Sequence, residues 1–267
     1  MIVVDSHCHT SPYWFEPVES LLFQMDRHGV ERAVLVQFNG QTDNEYQFEC
    51  VRRYPGRFVS VVIVDTSGPG APAKLERLAE RGARGVRLAP GARSPGGDLL
   101  AIWRKAAELG LAVSSGGTSR EFASKEFAAL VEELPSLPIV LEHLGSSNQP
   151  AAEGPSYKLR RQVLALARYP NVHVKVHGVG EIAPRPYPFL EPFPFVGQVP
   201  PLMRLAYEAF GPERMMWGSD FPPVSGREGY GNALRFTLDQ FADRSDAARA
   251  LIFGGTALRV FRFGNGG

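Results

Sequence analysis

Residues 2–9 read Ile-Val-Val-Asp-Ser-His-Cys-His, a short apolar run that becomes polar before it ends. Because successive side chains of a strand point to opposite faces, this stretch predicts a buried strand with Asp5, His7 and His9 on one face. The Thr-Ser-Pro that follows predicts the end of the strand. Two neutral imidazoles at this spacing can hold a cation or polarise an oxyanion. A pair of surface histidines in an exposed turn is the alternative interpretation.

The composition indicates a globular protein with a large core. The chain has 267 residues, of which 44% are hydrophobic, and its 29 basic and 28 acidic residues give a net charge of +1. Without a basic run, nucleic acid is not an expected partner. Without a long apolar segment, neither a signal peptide nor a membrane span is expected. Cys8 and Cys50 are too few for a disulfide framework, so we expect a cytoplasmic protein, with a homo-oligomer as an open possibility.

Downstream of residues 2–9, short β-branched segments alternate with longer segments of helical periodicity. Strands are predicted at 33–38, 57–65, 85–88, 111–114, 138–144, 171–178 and 215–219, and helices at 17–29, 44–54, 73–81, 99–109, 122–134, 159–169, 202–210, 232–241 and 247–253. This alternation predicts a single (β/α)8 TIM barrel spanning residues 1–267. An open doubly wound sheet would carry a glycine-rich phosphate loop after its first strand, where this chain has His-Cys-His-Thr-Ser-Pro.

Polar residues collect where the predicted strands end. In a (β/α)8 barrel the chemistry lies at the carboxyl ends of the strands, so side chains at these positions should meet in one pocket. We expect the side chains of four residues to share this pocket: His7, His9, His143 and Asp220. The polar residues that we single out on or after the strands are His7, His9, Arg87, His143, Lys175, His177 and Asp220.

Several motifs occur in barrel order along nearly the whole chain. They are Asp-x-His-x-His at 5–9, Arg-Gly-Val-Arg at 84–87, Ile-Val-Leu-Glu-His-Leu-Gly at 139–145, Asn-Val-x-Val-Lys at 171–175, Gly-Pro-Glu-Arg-Met-Met-Trp-Gly-Ser-Asp-Phe-Pro at 211–222 and Gly-Thr-Ala-x-x-Val-Phe at 255–261. With these motifs the chain resembles the amidohydrolase superfamily, in particular the amidohydrolase-2 type. The resemblance implies a TIM-barrel hydrolase that acts on a small-molecule substrate.

One departure from that family concerns the metal. The metal-binding members have a further histidine at the end of strand five, where this chain reads Leu-Ala-Val-Ser-Ser-Gly-Gly at 111–117. A divalent ion, zinc or manganese, would therefore have His7, His9 and Asp220 as protein ligands, with His143 as a further candidate, and we expect it to be weakly held or absent. The branch without that histidine resembles the pyrone-dicarboxylate and sugar-acid lactonases, some of which are thought to act without a metal.

The residues themselves also predict hydrolysis. Asp220 can act as general base on a water molecule, with capping of the next helix as its alternative role. His7, His9 and His143 can stabilise a developing oxyanion, although a satisfied core histidine is the alternative for His143.

Further residues are predicted to bind the substrate. Arg87 presents a fork suited to a carboxylate or to sugar hydroxyls, and an ion pair inside the barrel mouth is an equal alternative. His177, Tyr13 and Trp14 are the other candidates. The Pro- and Phe-rich segment 184–201 is predicted to be a lid, a surface or a subunit interface.

These observations predict a hydrolase of a small cyclic ester, a lactone. The alternative is a metal-dependent decarboxylase of a small aromatic or unsaturated acid, which would use the same barrel but should carry the strand-five histidine. A non-enzymatic binding barrel is a third hypothesis, and it would not need three histidines and Asp220 together.

Overall fold

A computed structural model of the chain describes residues 1–146, 154, 156–183, 187–188, 195 and 199–263. Most of the segment 184–201, predicted to be a lid or an interface, lies outside the described residues. Within the described part of the chain, no helix is long and apolar enough to cross a membrane.

The strands form one parallel sheet whose order follows the chain. The backbone N–H of Asp220 donates to the carbonyl of His7 at 2.8 Å, and the N–H of His9 donates to the carbonyl of Phe221 at 2.8 Å, which joins the last strand to the first. The predicted (β/α)8 barrel is therefore confirmed. Its strands are β1 Val4–Cys8, β2 Arg32–Val36, β3 Phe58–Val62, β4 Gly85–Arg87, β5 Ala112–Ser115, β6 Ile139–Leu141, β7 Val172–Val176 and β8 Met215–Trp217.

Helices cover the outside of the barrel. Most begin and end within a few residues of their predicted limits. The helix predicted over 122–134 spans 125–133, and a separate short helix precedes it at 119–122, because Ser124 and Thr118 each cap a helical start. The helices are α1 Val18–His28, α2 Glu45–Arg53, α3 Ala71–Glu80, α4 Ala101–Glu108, α5 Ser119–Phe122, α6 Lys125–Glu133, α7 Lys158–Leu164, α8 Leu202–Phe210, α9 Tyr230–Gln240, α10 Asp246–Ala250 and α11 Thr256–Val260.

Two apolar layers hold the barrel together. The larger one lies between sheet and helices and includes the fully buried Trp103 and Trp217. The smaller one joins Val34 and Val59 of the strands to Val260 and Phe261 at the end of the chain. Because apolar side chains are buried on both faces of the strands, each strand is a short run of consecutive hydrophobic residues.

Several strands end earlier than predicted. Strand β6 stops at Leu141 rather than at residue 144, because the chain turns there: His143 and Leu144 have φ values of 53° and 52°. Asp220, three residues after β8, also has a positive φ of 57°. Residues other than glycine seldom adopt this conformation, and it is often found where a side chain must be held for function.

Candidate active site

Five side chains from four strand ends meet inside one rim of the barrel. We call them the histidine cluster, and they are His7, His9, His143, His177 and Asp220. The ring centre of His7 lies 4.8 Å from that of His9, 5.2 Å from that of His143 and 5.1 Å from that of His177. The structure thus brings together the four residues expected to share a pocket, and it adds His177.

Asp220 is the acidic member of the cluster. Its Oδ1 lies 3.5 Å from Nε2 of His9 and 3.8 Å from Nε2 of His7, while Oδ2 accepts a hydrogen bond from Arg227 at 2.8 Å. Burial by itself would raise the pKa of this carboxyl, but the positive charge of the neighbouring His143 helps to hold it well below its usual range. Asp220 is therefore an anion, with one oxygen anchored by Arg227 and the other facing imidazoles.

The hydrogen bond of His9 determines its tautomer. Its Nδ1 lies 2.6 Å from the carbonyl oxygen of Val36, and a carbonyl can only accept, so Nδ1 carries the proton. In the neutral ring Nε2 then has a lone pair that faces Asp220. The ring stacks on Phe15, whose centre lies 5.6 Å away.

His143 is a hydrogen-bond donor to the site, in contrast to Nε2 of His9. Its Nδ1 is paired with the carboxylate of Glu181 in the turn that follows β7. Burial would lower the pKa of His143, but the charge and hydrogen bond of Glu181 outweigh burial and raise it to about 9. The ring is therefore an imidazolium at neutral pH, and its Nε2–H is a charged donor inside the site.

His177 is buried and neutral. Its ring stacks on that of His143 at 4.2 Å, and both of its nitrogens lack a hydrogen-bond partner among the described residues. Burial, and after it the charge of His143, lower its pKa to about 3. A buried polar group without a partner is costly, so His177 is a candidate for contact with a bound molecule.

Beneath the cluster lies a set of buried polar side chains that we call the ion-pair layer, composed of Arg87, Ser114, Glu142 and Lys175. Arg87 donates to both oxygens of Glu142, at 2.7 Å from Nη2 and 3.0 Å from Nε. Ser114 donates to Glu142 at 2.7 Å, and Lys175 donates to Ser114 at 2.7 Å. Although burial would raise the pKa of Glu142, Arg87 and Lys175 lower it to about 2.

Lys175 connects the layer to the cluster. Its Nζ lies 3.0 Å from Nδ1 of His7, and the residue is fully buried. Burial lowers the pKa of Lys175 to about 8. Burial and the charge of Lys175 also hold the pKa of His7 well below its usual range, so His7 is a neutral imidazole.

The prediction that Asp5 shares a face with His7 and His9 is wrong. The register of β1 on β2 shifts between Asp5 and Cys8, which interrupts the alternation of faces. Asp5 instead accepts hydrogen bonds from Ser219 at 2.6 Å and from the hydroxyl of Tyr230 in α9 at 3.0 Å. It links β1 to β8 and α9, and burial raises its pKa to about 6.

The remaining predicted residues have different surroundings. Tyr13 and Trp14 are 95% and 78% exposed, and the ring of that loop that contacts the cluster is Phe15. Arg87 forms the ion pair that was its equal alternative, and it also donates to the carbonyl of Gln37 at 3.0 Å. Cys8 is fully buried and packs as a small apolar side chain.

Sequence reasoning did not single out Glu142, Glu181 or Arg227. Glu142 had a usable signal, since a carboxylate after the apolar run 139–141 must find a partner when it is buried. Glu181 and Arg227 lie in short turns with no pattern that marks them. Their partners become evident only when β6, β7 and β8 are adjacent.

The side-chain types of the cluster are ones that a divalent metal accepts as ligands. Ligand atoms of His7, His143 and Asp220 lie within 4.8 Å of one another, as do those of His143, His177 and Glu181. The buried Nε2 of His7 has no hydrogen-bond partner among the described residues. Imidazole nitrogen and carboxylate oxygen are ligands that zinc and manganese accept. Of the predicted set His7, His9 and Asp220, the first and the last belong to the first of these groups, which has His143 in place of His9.

The barrel and its polar rim define a protein of the TIM-barrel class with a candidate active site at the carboxyl ends of its strands. The family model described as Amidohydrolase matches residues 4–263, so the chain belongs to this family. The predicted family and the predicted hydrolase class are confirmed.

Three known proteins resemble this chain. L-fucono-1,5-lactonase of Burkholderia ambifaria is 31% identical over 255 residues, a match that covers 88% of this chain and 81% of that protein. 4-Sulfomuconolactone hydrolase of Rhizobium radiobacter is 27% identical over 218 residues, covering 77% and 66%. An amidohydrolase of Burkholderia multivorans, solved with bound HEPES, superimposes with a TM-score of 0.78 at 19% identity over 99% of this chain and 100% of that one, which is a likeness of fold.

Proposed function

We propose that the protein hydrolyses a small lactone. The observation that carries this proposal is that the histidine cluster holds hydrogen-bond acceptors and a charged donor side by side. The acceptors are Asp220 and His9, which we call the acceptor pair, and the cationic donor is His143. Ester hydrolysis needs both, because water must lose a proton while the carbonyl oxygen gains negative charge. The two relatives named as lactone hydrolases support the same substrate class.

In the proposed mechanism the acceptor pair holds the attacking water. Asp220 Oδ1 and His9 Nε2 lie 3.5 Å apart and both accept hydrogen bonds, so a water molecule that donates to both keeps its lone pair free for the lactone carbonyl. As the water oxygen bonds to the carbonyl carbon, its proton passes to this pair. The low pKa makes Asp220 alone a weak base, so His9 shares the role.

His143 stabilises the charge that develops on the carbonyl oxygen. Its imidazolium is held by Glu181, so the donor is oriented before the substrate binds. When the tetrahedral species collapses, the ring C–O bond breaks, and the leaving alkoxide takes the proton that the acceptor pair received. The product is a hydroxy acid, and the site returns to its starting protonation state.

A bound zinc or manganese ion would supply Lewis-acid polarisation of the carbonyl, and His7, His9 and Asp220 would hold it, with His143 as a further ligand once its Nε2 proton is lost. We propose weak occupancy, because β5 offers Ser114 and Ser115 where a further imidazole ligand would lie. The same absence disfavours the decarboxylase alternative.

Substrate contacts are assigned to the open part of the rim. The guanidinium of Arg87 is occupied by Glu142 and Gln37, so we propose that it orients the site rather than binding a substrate carboxylate. His177, with no partner among the described residues, is proposed to contact the lactone, and Tyr13 and Trp14 to contact it from the rim. Two free buried cysteines suit a reducing compartment, and we propose the cytoplasm.

A panel of lactones tests the function. Sugar 1,5-lactones, a muconolactone and an aromatic carboxylic acid are incubated with the protein, and release of hydroxy acid or of carbon dioxide is followed. Hydrolysis of at least one lactone by the wild type, abolished in Asp220→Asn, is the expected result. Decarboxylation of the acid without any lactone hydrolysis would contradict the proposal.

A further inference from the structure

The contact between Lys175 and His7 decides which nitrogen of His7 carries a proton. His7 has two ring nitrogens with different surroundings: Nδ1 lies 3.0 Å from Nζ of Lys175, and Nε2 lies 3.8 Å from Asp220. In a neutral imidazole one nitrogen donates and the other accepts. Only the nitrogen that accepts has a lone pair that can ligate a metal.

The hydrogen-bond donors and acceptors of the ion-pair layer can be assigned one after another, starting from Arg87. Arg87 donates to both oxygens of Glu142, so Glu142 accepts as an anion. Ser114 uses its one hydroxyl proton on Glu142 at 2.7 Å. The contact between Ser114 and Lys175 must therefore have Lys175 as donor.

A lysine ammonium has three donors and no acceptor. With one donor used on Ser114, the second polar neighbour of Nζ at hydrogen-bond distance is Nδ1 of His7. The remaining side of the ammonium faces the ring of Phe261, whose centre is 5.5 Å away, a cation–π contact that also favours the charged form. The geometry therefore makes Nδ1 of His7 an acceptor and places its proton on Nε2.

We propose that Lys175 is a positioning residue that holds His7 as the Nε2–H tautomer, so that His7 presents a hydrogen-bond donor to the site and withholds the lone pair that a metal would need. His7 then joins His143 as an oxyanion donor, whereas His9, held the other way by Val36, accepts. Lys175 thereby favours hydrolysis without a metal over metal binding. This inference rests on the proposed site but not on the identity of the lactone.

Nuclear magnetic resonance of the wild type tests the tautomer directly. Long-range correlation of ring protons with nitrogen-15 separates protonated from bare imidazole nitrogens, and the His7 signals are assigned as those lost in His7→Asn. The expected result at neutral pH is a bare Nδ1 and a protonated Nε2. A protonated Nδ1 with a bare Nε2 would overturn the proposal, and this measurement needs no variant of Lys175 to fold.

Zinc affinity, measured by competition with a chromophoric chelator, tests the consequence. Replacement Lys175→Met removes the donor and the charge, so zinc should bind at least about tenfold more tightly than to the wild type, at the lower end of the usual effect of partners behind metal ligands. Lys175→Arg keeps a donor and should stay near the wild type. Lys125→Met, at an exposed lysine in α6, is the matched control and should change nothing.

Unchanged or weaker zinc binding by folded Lys175→Met would overturn the proposal, and folding of each variant is checked by thermal melting. Neither the tautomer nor the zinc affinity depends on turnover. If no lactone is hydrolysed but the tautomer is as stated, the proposed function fails and this inference stands. If lactones are hydrolysed and Nδ1 carries the proton, the inference alone fails.

Discussion

The histidine cluster and the ion-pair layer lie next to each other in the barrel and differ in how their polar atoms are satisfied. In the layer, Glu142 receives hydrogen bonds from Arg87 and Ser114 at distances of 2.7 Å. In the cluster, Nε2 of His7 and both ring nitrogens of His177 lack partners within the described part of the chain. Groups with full sets of partners hold a structure, and groups left without them are available to a substrate.

Two carboxylates show the same difference. Asp5 is surrounded by donors from Ser219 and Tyr230, and it connects β1 to α9. Asp220 has one oxygen paired with Arg227 and the other turned toward imidazoles. We expect substitutions in the layer to reduce stability, and substitutions in the cluster to reduce activity.

The largest expected effect is on stability, in the ion-pair layer. Glu142→Gln removes the charge that faces Arg87 and Lys175 and leaves two buried cations without their anion, which should cost about 3 kcal/mol of unfolding free energy. Urea denaturation followed by circular dichroism measures it. Glu133→Gln, at a surface pair with Arg104, is the matched control and should change little. Equal midpoints for the two variants would show that the layer is not structural.

The next effect is on turnover, in the cluster. Asp220→Asn keeps the shape of the side chain and removes the acceptor charge, so kcat for a lactone should fall by at least about a hundredfold. Loss of its ion pair with Arg227 should lower the free energy of unfolding less than Glu142→Gln does, because Arg227 is partly exposed. Asp239→Asn, exposed at the end of α9, controls for the loss of a surface charge. If Asp220→Asn unfolds early but keeps the wild-type kcat per folded molecule, Asp220 belongs with the structural groups.

Glu228 is a buried carboxyl that belongs neither to the histidine cluster nor to the ion-pair layer. The sign of its effect on the free energy of unfolding as pH changes can be predicted. It lies against Gly178 and Gly180, where burial raises its pKa to about 7 from 4.5. A carboxyl with a raised folded pKa favours the folded state below its ordinary pKa, and this contribution is lost as pH rises through about 7.

Glu228→Gln should therefore become more stable relative to the wild type as pH rises, by about 2 kcal/mol between about pH 5 and about pH 8. Urea denaturation at both pH values measures the difference. The exposed Glu126→Gln serves as control. A gap between Glu228→Gln and the wild type that stays constant with pH would mean that Glu228 has an ordinary pKa in the folded protein.

The smallest expected effect is that of a chelator. If the cluster works mainly through its own donors and acceptors, turnover after prolonged dialysis against EDTA should fall by no more than about tenfold. Metal content is measured in parallel. Complete loss of turnover, restored by one zinc or manganese ion per chain, would show that the unpartnered nitrogens of the cluster serve a metal.

The pattern of apolar and polar residues over short stretches of sequence was enough to predict the fold and part of the site. Alternation of apolar strands with amphipathic helices depends only on neighbours in sequence, and the barrel followed from it. The strand ends identified His7, His9, His143 and Asp220, because parallel strands in a barrel bring their carboxyl ends together. Strand limits were less accurate, since positive φ values at His143 and Asp220 take these residues out of the sheet.

The sequence by itself determined which chemical groups stand at the strand ends, because side-chain direction and hydrophobic period are set over a few residues. Only the tertiary structure decided what each group does. The partner of His7 is 168 residues away in Lys175, that of His143 is 38 residues away in Glu181, and that of Arg87 is 55 residues away in Glu142. Tautomer, charge and pKa depend on distances in space and on burial, which arise only when distant strands are packed side by side.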